Sequence, residues 1–347
     1  MRTKKLGQSD LEVSELCLGS MTWGSQNSQD EAHAQIDMAL AAGVNFIDTA
    51  ELYPTYPIVA ENCGRTEEFI GEWFARTGRR NDVVLASKIA GSGQKAVRDG
   101  APITANGIRI AIEGSLKRLK TDVIDLYQLH WPNRGSYHFR QSWKYNPKKQ
   151  DRNEIEAHML DVLGEIQRQV DAGRIRYFGL SNESAWGTAQ WLRLARENGL
   201  PRVQTIQNEY SLLCRIYDLD LAELSHNESV DLLAFTPLAS GLLSGKYTAD
   251  TTPPNTRRAV APDLGGRVTP NVWPAISAYQ AIAKKYELNP VQMALAWCAG
   301  RQFMGSVIIG ATTPGQLETC LGAADISLAD EVLDDIVSAH RAHPQPF

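Results

Sequence analysis

No stretch of this chain of 347 residues approaches the ~20 consecutive apolar residues of a membrane-crossing helix. Met1 to Asp10 is polar and lacks the apolar core of a secretory signal, so a cytoplasmic chain that engages no membrane is expected. Cysteine is sparse: the five (Cys17, Cys63, Cys214, Cys298, Cys320) are odd in number, and no two stand at CxxC spacing. They read as buried or idle thiols in a reducing compartment, and without clustered Cys and His no metal site is expected. Basic charge is scarce as well. Lys and Arg total 35 against 40 Asp and Glu, a net charge of -5, and the nearest thing to a basic run is Lys148–Lys149. Nucleic acid is therefore not an expected partner. There is no Walker A motif, no low-complexity tract and no inter-domain linker. What remains is 43% hydrophobic and 22% charged, the composition of a globular protein that can bury a core without staples.

That core is written as a repeat. Short apolar runs, each ending in a small or polar residue, recur along the chain: Leu16–Leu18 before Gly19, Val44–Ile47 before Asp48, Val83–Ala86 before Ser87–Lys88, Val123–Leu129 before His130. The series continues with Ile175–Leu180 before Ser181–Asn182, Val203–Ile206 before Gln207, Leu232–Phe235 before Thr236 and Val307–Ile309 before Gly310. Helical periodicity fills several gaps: Glu31–Ala42, Asn106–Leu119, Glu154–Ala172, Ala185–Glu197 and Val291–Ala299. Gly43, Gly173 and Gly199 stand where helices end, and Pro290 where one begins. Continuous apolar strands alternating with helices predict a parallel sheet covered on both faces. Eight such units predict a closed (β/α)8 TIM barrel, an α/β fold of ~250 residues before insertions. The surplus falls in three places: Arg2–Ser14, expected as a hairpin across the barrel bottom, and the loops Trp131–Asn153 and Thr248–Thr269. Residues 1–347 are read as one barrel domain.

The rival is a doubly wound nucleotide-binding sheet. Its one motif here, Gly91-Ser-Gly-Gln-Lys-Ala96, should open a helix. Val97-Arg-Asp-Gly-Ala-Pro102 follows instead, a breaker-rich loop.

In a barrel of parallel strands the active site uses the C-terminal strand ends. Asp48, Lys88, His130, Asn182 and Gln207 all stand there, and five polar strand ends aimed into one mouth are poorly explained by capping alone. Tyr53 lies five residues past Asp48. A phenol titrates near ~10, a neighbouring ammonium favours the phenolate, and Lys88, held by Asp48, is placed to supply that charge. His130 can donate to a carbonyl oxygen. The set suits delivery of hydride to carbon while Tyr53 protonates oxygen. Nothing in it is a nucleophile with its base.

At this point the chain resembles the aldo-keto reductases over nearly its whole length, most of all the bacterial Tas-type members, which are themselves similar to the β-subunits of potassium channels. The resemblance is carried, in order, by Asn45-Phe-Ile-Asp-Thr-Ala-Glu-Leu-Tyr53, Ala86-Ser-Lys88, Asp125-Leu-Tyr-Gln-Leu-His130, Gly173-Arg-Ile-Arg-Tyr-Phe-Gly-Leu-Ser-Asn182, Gln207-Asn-Glu-Tyr-Ser211, Pro237-Leu238 with Gly245-Lys-Tyr247, and Ile309-Gly-Ala-Thr312. It implies NADPH as cofactor and Tyr53 as general acid, with Asp48 and Lys88 lowering its pKa and His130 orienting the carbonyl. It implies Ser20, Met21, Asp48, Ser181, Asn182 and Gln207 around the nicotinamide. Tyr210 matches a ring stacked on the nicotinamide, the alternative being a core aromatic. Thr236, Pro237, Leu238, Ala239 and Gly241 match a loop along the pyrophosphate. Lys246 and Arg257 match phosphate-clasping cations, with a surface role as the alternative for Arg257, and Gly310, Thr312 and Gln316 match a segment on the adenosine phosphate. Where relatives carry Glu-Asn a few residues past Gln316 to contact adenine, this chain has Thr319 and Cys320, which puts those contacts in doubt.

The substrate is expected to be a small carbonyl compound. Trp23 and Trp131, with Trp143 from the loop after the fourth run, are candidate substrate walls, and Arg134 and Arg140 candidate anion readers; the alternative is a loop whose aromatics pack on its own barrel. A working reductase is the first reading. The second is an NADPH-binding regulatory subunit with weak turnover; His130 speaks against it, because the channel subunits that the chain resembles have replaced that residue and lost much of their activity. Oligomeric state is left open by the sequence.

Overall fold

The computed structural model describes all of residues 1–347. The chain opens with β1 (Thr3–Lys5) and β2 (Glu12–Ser14), an antiparallel hairpin in which Lys4 pairs with Val13. Eight strands then alternate with helices. In order they are β3 (Leu16–Gly19), α1 (Gln29–Ala41), β4 (Phe46–Asp48), α2 (Arg65–Thr77), β5 (Val84–Ile89), α3 (Ala105–Leu119), β6 (Ile124–Leu129), α4 (Arg152–Asp171), β7 (Ile175–Ser181), α5 (Ala185–Asn198) and β8 (Val203–Glu209). They continue with α6 (Asp220–Glu228), β9 (Asp231–Phe235), the one-turn α7 (Arg257–Val260), α8 (Val272–Lys285), α9 (Pro290–Ala299), β10 (Met304–Ile309), α10 (Pro314–Leu321) and α11 (Asp330–Ala342).

Strands β3 to β10 pair parallel to their neighbours, and β10 closes onto β3. This is the (β/α)8 barrel that the eight apolar runs predicted. Each run lies within a strand or overlaps one. The five helices read from periodicity are also present, within a residue or two of their expected ends. Periodicity did not mark α2, α6, α7, α8, α10 and α11. The rival nucleotide motif at Gly91 opens no helix: it runs into turns and a short 3-10 segment at Arg98–Gly100. No helix is long and apolar enough to cross a membrane.

Local chemistry explains the helix ends. Ser28 and Glu31 form a reciprocal capping box on α1. Asp151 caps α4, and Asn289 and Thr313 cap α9 and α10, each followed by proline at the first position. Gly78 and Gly199 close α2 and α5 in the left-handed conformation.

Side chains alternate along each strand, and this sorts the core into two. Outward residues pack under the helices in one large cluster. Inward residues Cys17, Phe46, Ala86, Leu126, Leu233 and Ile308 form a second, closed from below by Leu6, Leu11 and Val13 of the hairpin segment. The expected hairpin across the barrel bottom is therefore a plug. Two residues on from Phe46, Ala86 and Leu126, on the same face, come Asp48, Lys88 and Gln128. The interior thus turns polar towards the C-terminal ends of the strands.

Candidate active site

Lys88 is the buried centre of that polar layer. A buried ammonium must be paired and fully bonded. Its Nζ donates to Asp48 Oδ2 at 2.6 Å, to the Thr49 carbonyl at 2.7 Å and to Tyr53 Oη at 3.3 Å. Asp48 Oδ1 accepts from Gln128 Nε2 at 3.0 Å and Gln207 Nε2 at 2.8 Å. Burial alone would lower the Lys88 pKa, but the Asp48 carboxylate and the Tyr53 oxygen raise it above its ordinary value. The ammonium therefore stays charged at neutral pH.

Tyr53 stands over this pair, 8% exposed. The expected lowering of its pKa is present but outweighed. Burial raises the phenol above its ordinary value, against the lowering pull of Lys88, and the Asp48 charge adds to the rise. The phenol therefore keeps its proton at neutral pH. His130 meets the Tyr53 ring edge to face, centroids 5.7 Å apart. Burial and the Lys88 charge hold its pKa well below the ordinary value, so the ring is neutral, and Nδ1 has no protein partner. The structure thus brings Asp48, Tyr53, Lys88 and His130 into one cluster.

The strand ends beside it carry the residues expected around a nicotinamide. Ser20 Oγ donates to the Asp48 carbonyl at 2.8 Å, Ser181 Oγ to the Gln207 carbonyl at 2.8 Å, and Asn182 Nδ2 to the His130 carbonyl at 2.9 Å. Asn182 has the left-handed φ of 53°, uncommon away from glycine, and its Oδ1 is buried without a partner. An unpaired buried acceptor at the mouth fits an amide donor such as a carboxamide.

Two expectations are corrected. Tyr210 is not at the mouth. Gln207 and Glu209 face inward, so Tyr210, of opposite parity, faces the helices. Its ring stacks on Trp297 of α9 with centroids 5.3 Å apart, and its hydroxyl donates to Asp218 at 2.6 Å. It is a core aromatic. The aromatic that does reach the mouth is Phe235 at the end of β9, on the same face as Leu233 and packed on the inward cluster. Its even spacing from Leu233 is the signal that marks it. Trp23 is also core rather than substrate wall: fully buried, it donates through Nε1 to Gln35 of α1 at 3.0 Å.

The segment after β9 turns tightly, with left-handed backbone at Thr236, Ala239, Ser240 and Gly241. At Gly241 the φ of +91° favours glycine, and the exposed Lys246 lies across the loop, its Cε 2.9 Å from where a Cβ would stand. Pro237, Leu238 and Ala239 belong to the same turn. After β10, a Cβ on Gly310 would meet nothing within 4 Å, and Gln316 Oε1 accepts from the Thr312 backbone N–H at 3.0 Å and hydroxyl at 3.1 Å. Arg257 lies over Tyr56 and beside Met21. Its Cζ lies 4.4 Å over the Tyr56 ring, and Nη2 lies 3.9 Å from Met21 Sδ.

Of the loop after β6, Trp131 lines the mouth beside His130, centroids 4.9 Å apart, and bonds the Ser92 carbonyl. Trp143 is 66% exposed and joins none of these ring contacts. Arg134 is consumed by a close ion pair with Glu183, and Arg140 pairs with Glu209 at 2.8 Å. Neither pairing is marked in the sequence, because the partners lie on other elements.

A model of the Aldo/keto reductase family matches residues 15–341. The chain is 40% identical to Protein tas of Escherichia coli (strain K12) over 352 residues, covering 100% of this chain and 99% of that protein. It is 32% identical to the uncharacterized oxidoreductase YrpG of Bacillus subtilis, covering 94% of this chain and 92% of that protein. It is also 30% identical to a probable voltage-gated potassium channel subunit beta of Oryza sativa, covering 99% and 98%.

Proposed function

The chain belongs to the aldo/keto reductase family, and on that premise we propose that it reduces an aldehyde or ketone to the alcohol with NADPH, Tyr53 giving the proton. The observation that carries this reading is the contact of the Tyr53 hydroxyl with a buried, charged Lys88 at 3.3 Å. When bound, NADPH supplies the hydride. Ser181, Asn182 and Gln207 would hold its carboxamide end, with Ser20 and Met21 alongside and Phe235 in place of Tyr210 as the flanking ring. The turn from Thr236 to Gly241, Lys246, and the Gly310–Thr312–Gln316 segment would hold the phosphates.

The protein's own part is proton delivery and orientation. Tyr53 and His130 offer two donors to one carbonyl oxygen, which directs the carbonyl carbon away from both. Tyr53 keeps its proton in the free protein because burial raises its pKa. When it gives the proton up, the phenolate forms beside the Lys88 ammonium, which stabilises it. Asp48 keeps that ammonium charged and in place. Neutral His130 donates without adding charge. Positioned acids of this kind contribute roughly 10²–10⁴-fold in rate.

The test is NADPH oxidation against a panel of aldehydes and ketones, comparing the wild type with Tyr53→Phe. Turnover of at least one carbonyl, lost in the variant, supports the reading. Full activity of the variant removes Tyr53 as the acid.

A further inference from the structure

Where the barrel closes, β10 pairs with β3, so the segments that leave these two strands start side by side at the mouth. Two buried side-chain amides tie them together. Asn27, in the loop after β3, accepts from the Thr22 hydroxyl through Oδ1 at 2.9 Å and donates through Nδ2 to the Thr312 carbonyl at 3.0 Å. Gln35 of α1 accepts from Trp23 Nε1 through Oε1 at 3.0 Å and donates through Nε2 to the Ala311 carbonyl at 3.3 Å. Each amide thus joins the loop after β3 to one of two consecutive carbonyls after β10. The direction of the Gln35 amide is forced. An indole N–H only donates and a carbonyl only accepts, so a flipped amide would lose both bonds.

This pairing orients the backbone beyond it. In a trans peptide the C=O and the N–H point to opposite sides, and the peptides between Ala311 and Thr313 are trans. With the Ala311 and Thr312 carbonyls held by Gln35 and Asn27, the N–H groups of Thr312 and Thr313 are turned away from those buried amides. Thr313 is exposed and Thr312 partly so. The Thr312 N–H meets an acceptor on that side, Gln316 Oε1, which also takes the Thr312 hydroxyl. Thr313 is the N-cap of α10, so the positive end of that helix dipole begins at the same point.

We propose that Asn27 and Gln35 are positioning residues for NADPH. They act through the backbone. By fixing the Ala311–Thr312 and Thr312–Thr313 peptide planes they present two N–H donors to the phosphate on the adenosine ribose, and so set the preference for NADPH over NADH. The proposal rests on the NADPH-dependent reductase reading and deepens it. It also gives Trp23 a part: buried away from the substrate, its indole N–H sets the direction of the Gln35 amide.

The test is binding, in the wild type, Asn27→Ala and Gln35→Met. Calorimetric titration compares adenosine 2′,5′-bisphosphate with adenosine 5′-monophosphate, and fluorescence titration compares NADPH with NADH. The wild type should bind the bisphosphate more tightly than the monophosphate. In each variant the Kd values for the bisphosphate and for NADPH should rise about fivefold, the worth of one hydrogen bond. Those for the monophosphate and NADH should hardly move, so the preference within each pair shrinks. A purely structural role would weaken both members of a pair alike and leave the preference as it was. That result overturns the proposal, as does a wild type that does not distinguish bisphosphate from monophosphate. The two substitutions cut separate bonds, so either one serves if the other fails to fold. Amide NMR of the wild type needs no variant: the Thr312 and Thr313 N–H resonances should shift with the bisphosphate and much less with the monophosphate. Resonances that stay in place overturn the proposal. None of these measurements needs turnover. A bisphosphate preference that shrinks in the variants supports the positioning role even if no aldehyde or ketone is reduced, which would sink the reductase reading alone.

Discussion

Lys88 holds its ammonium 3.3 Å from the Tyr53 hydroxyl and 2.6 Å from the Asp48 carboxylate, with all three groups buried. The phenol and the carboxylate compete for one cation. Asp48 is the nearer, so the ammonium remains charged beside a phenol that is still protonated. Proton release from Tyr53 then creates a second anion at a site that already holds the countercharge. The candidate chemistry follows from that geometry.

Tyr53→Phe deletes one oxygen and keeps the ring against His130. The expected outcome is a fall in kcat of about 10²–10⁴-fold with the Kd for NADPH unchanged, read by fluorescence titration. A large loss of NADPH binding would mean that the hydroxyl serves the cofactor rather than the carbonyl.

Lys88→Met leaves Asp48 buried with two amide donors and no cation. Breaking a buried pair in this way costs about 3–5 kcal/mol, read by urea unfolding. Adding Asp48→Asn should recover much of that stability while activity stays lost. A single variant as stable as wild type would show that the amides of Gln128 and Gln207 suffice.

Phe235→Leu is expected to weaken NADPH binding by about fivefold, a contact of roughly 1 kcal/mol for an aromatic face. Tyr210→Phe should leave NADPH binding alone and cost about 1 kcal/mol of stability through the lost bond to Asp218. The reverse pattern would return the stacking role to Tyr210.

Lys246→Ala should raise the Kd for NADPH by more than it raises that for NADH, since the exposed ammonium lies across the turn at Gly241. An equal effect on both cofactors would place Lys246 away from the 2′-phosphate.

Acid should destabilise the fold through two histidines. His130 and His138 are buried, and burial holds both below their ordinary pKa. The unfolded chain takes up protons near the ordinary value of ~6.5, which the folded chain refuses. The stability is therefore fully present above ~6.5 and is lost as pH falls towards the depressed folded values, by up to about 1.4 kcal/mol per pH unit for each group. Urea unfolding at pH 7.5 and 5.5 measures the loss, and His138→Asn should reduce it. Equal stability at the two pH values would contradict the assignment.

The sequence by itself determined the barrel. Eight apolar runs at helix-separated intervals leave a closed parallel sheet as the economical solution, and the polar residues that end five of them have only one mouth to enter. Asp48, Lys88, His130, Asn182 and Gln207 were legible for that reason, and Tyr53 by its distance from Asp48. Tertiary structure decided which neighbours of those residues share the mouth. Tyr210 and Phe235 are both aromatics at strand ends, and only the register of the closed barrel shows which faces inward. Trp23 follows a strand, yet α1 supplies Gln35 and draws its indole into the core. Arg134 and Arg140 read as free cations until Glu183 and Glu209, 49 and 69 residues away, meet them. The direction of the Tyr53 pKa also belongs to the fold. Lys88 alone would lower it, and the burial that overrides Lys88 exists only once the helices and loops have closed around the site.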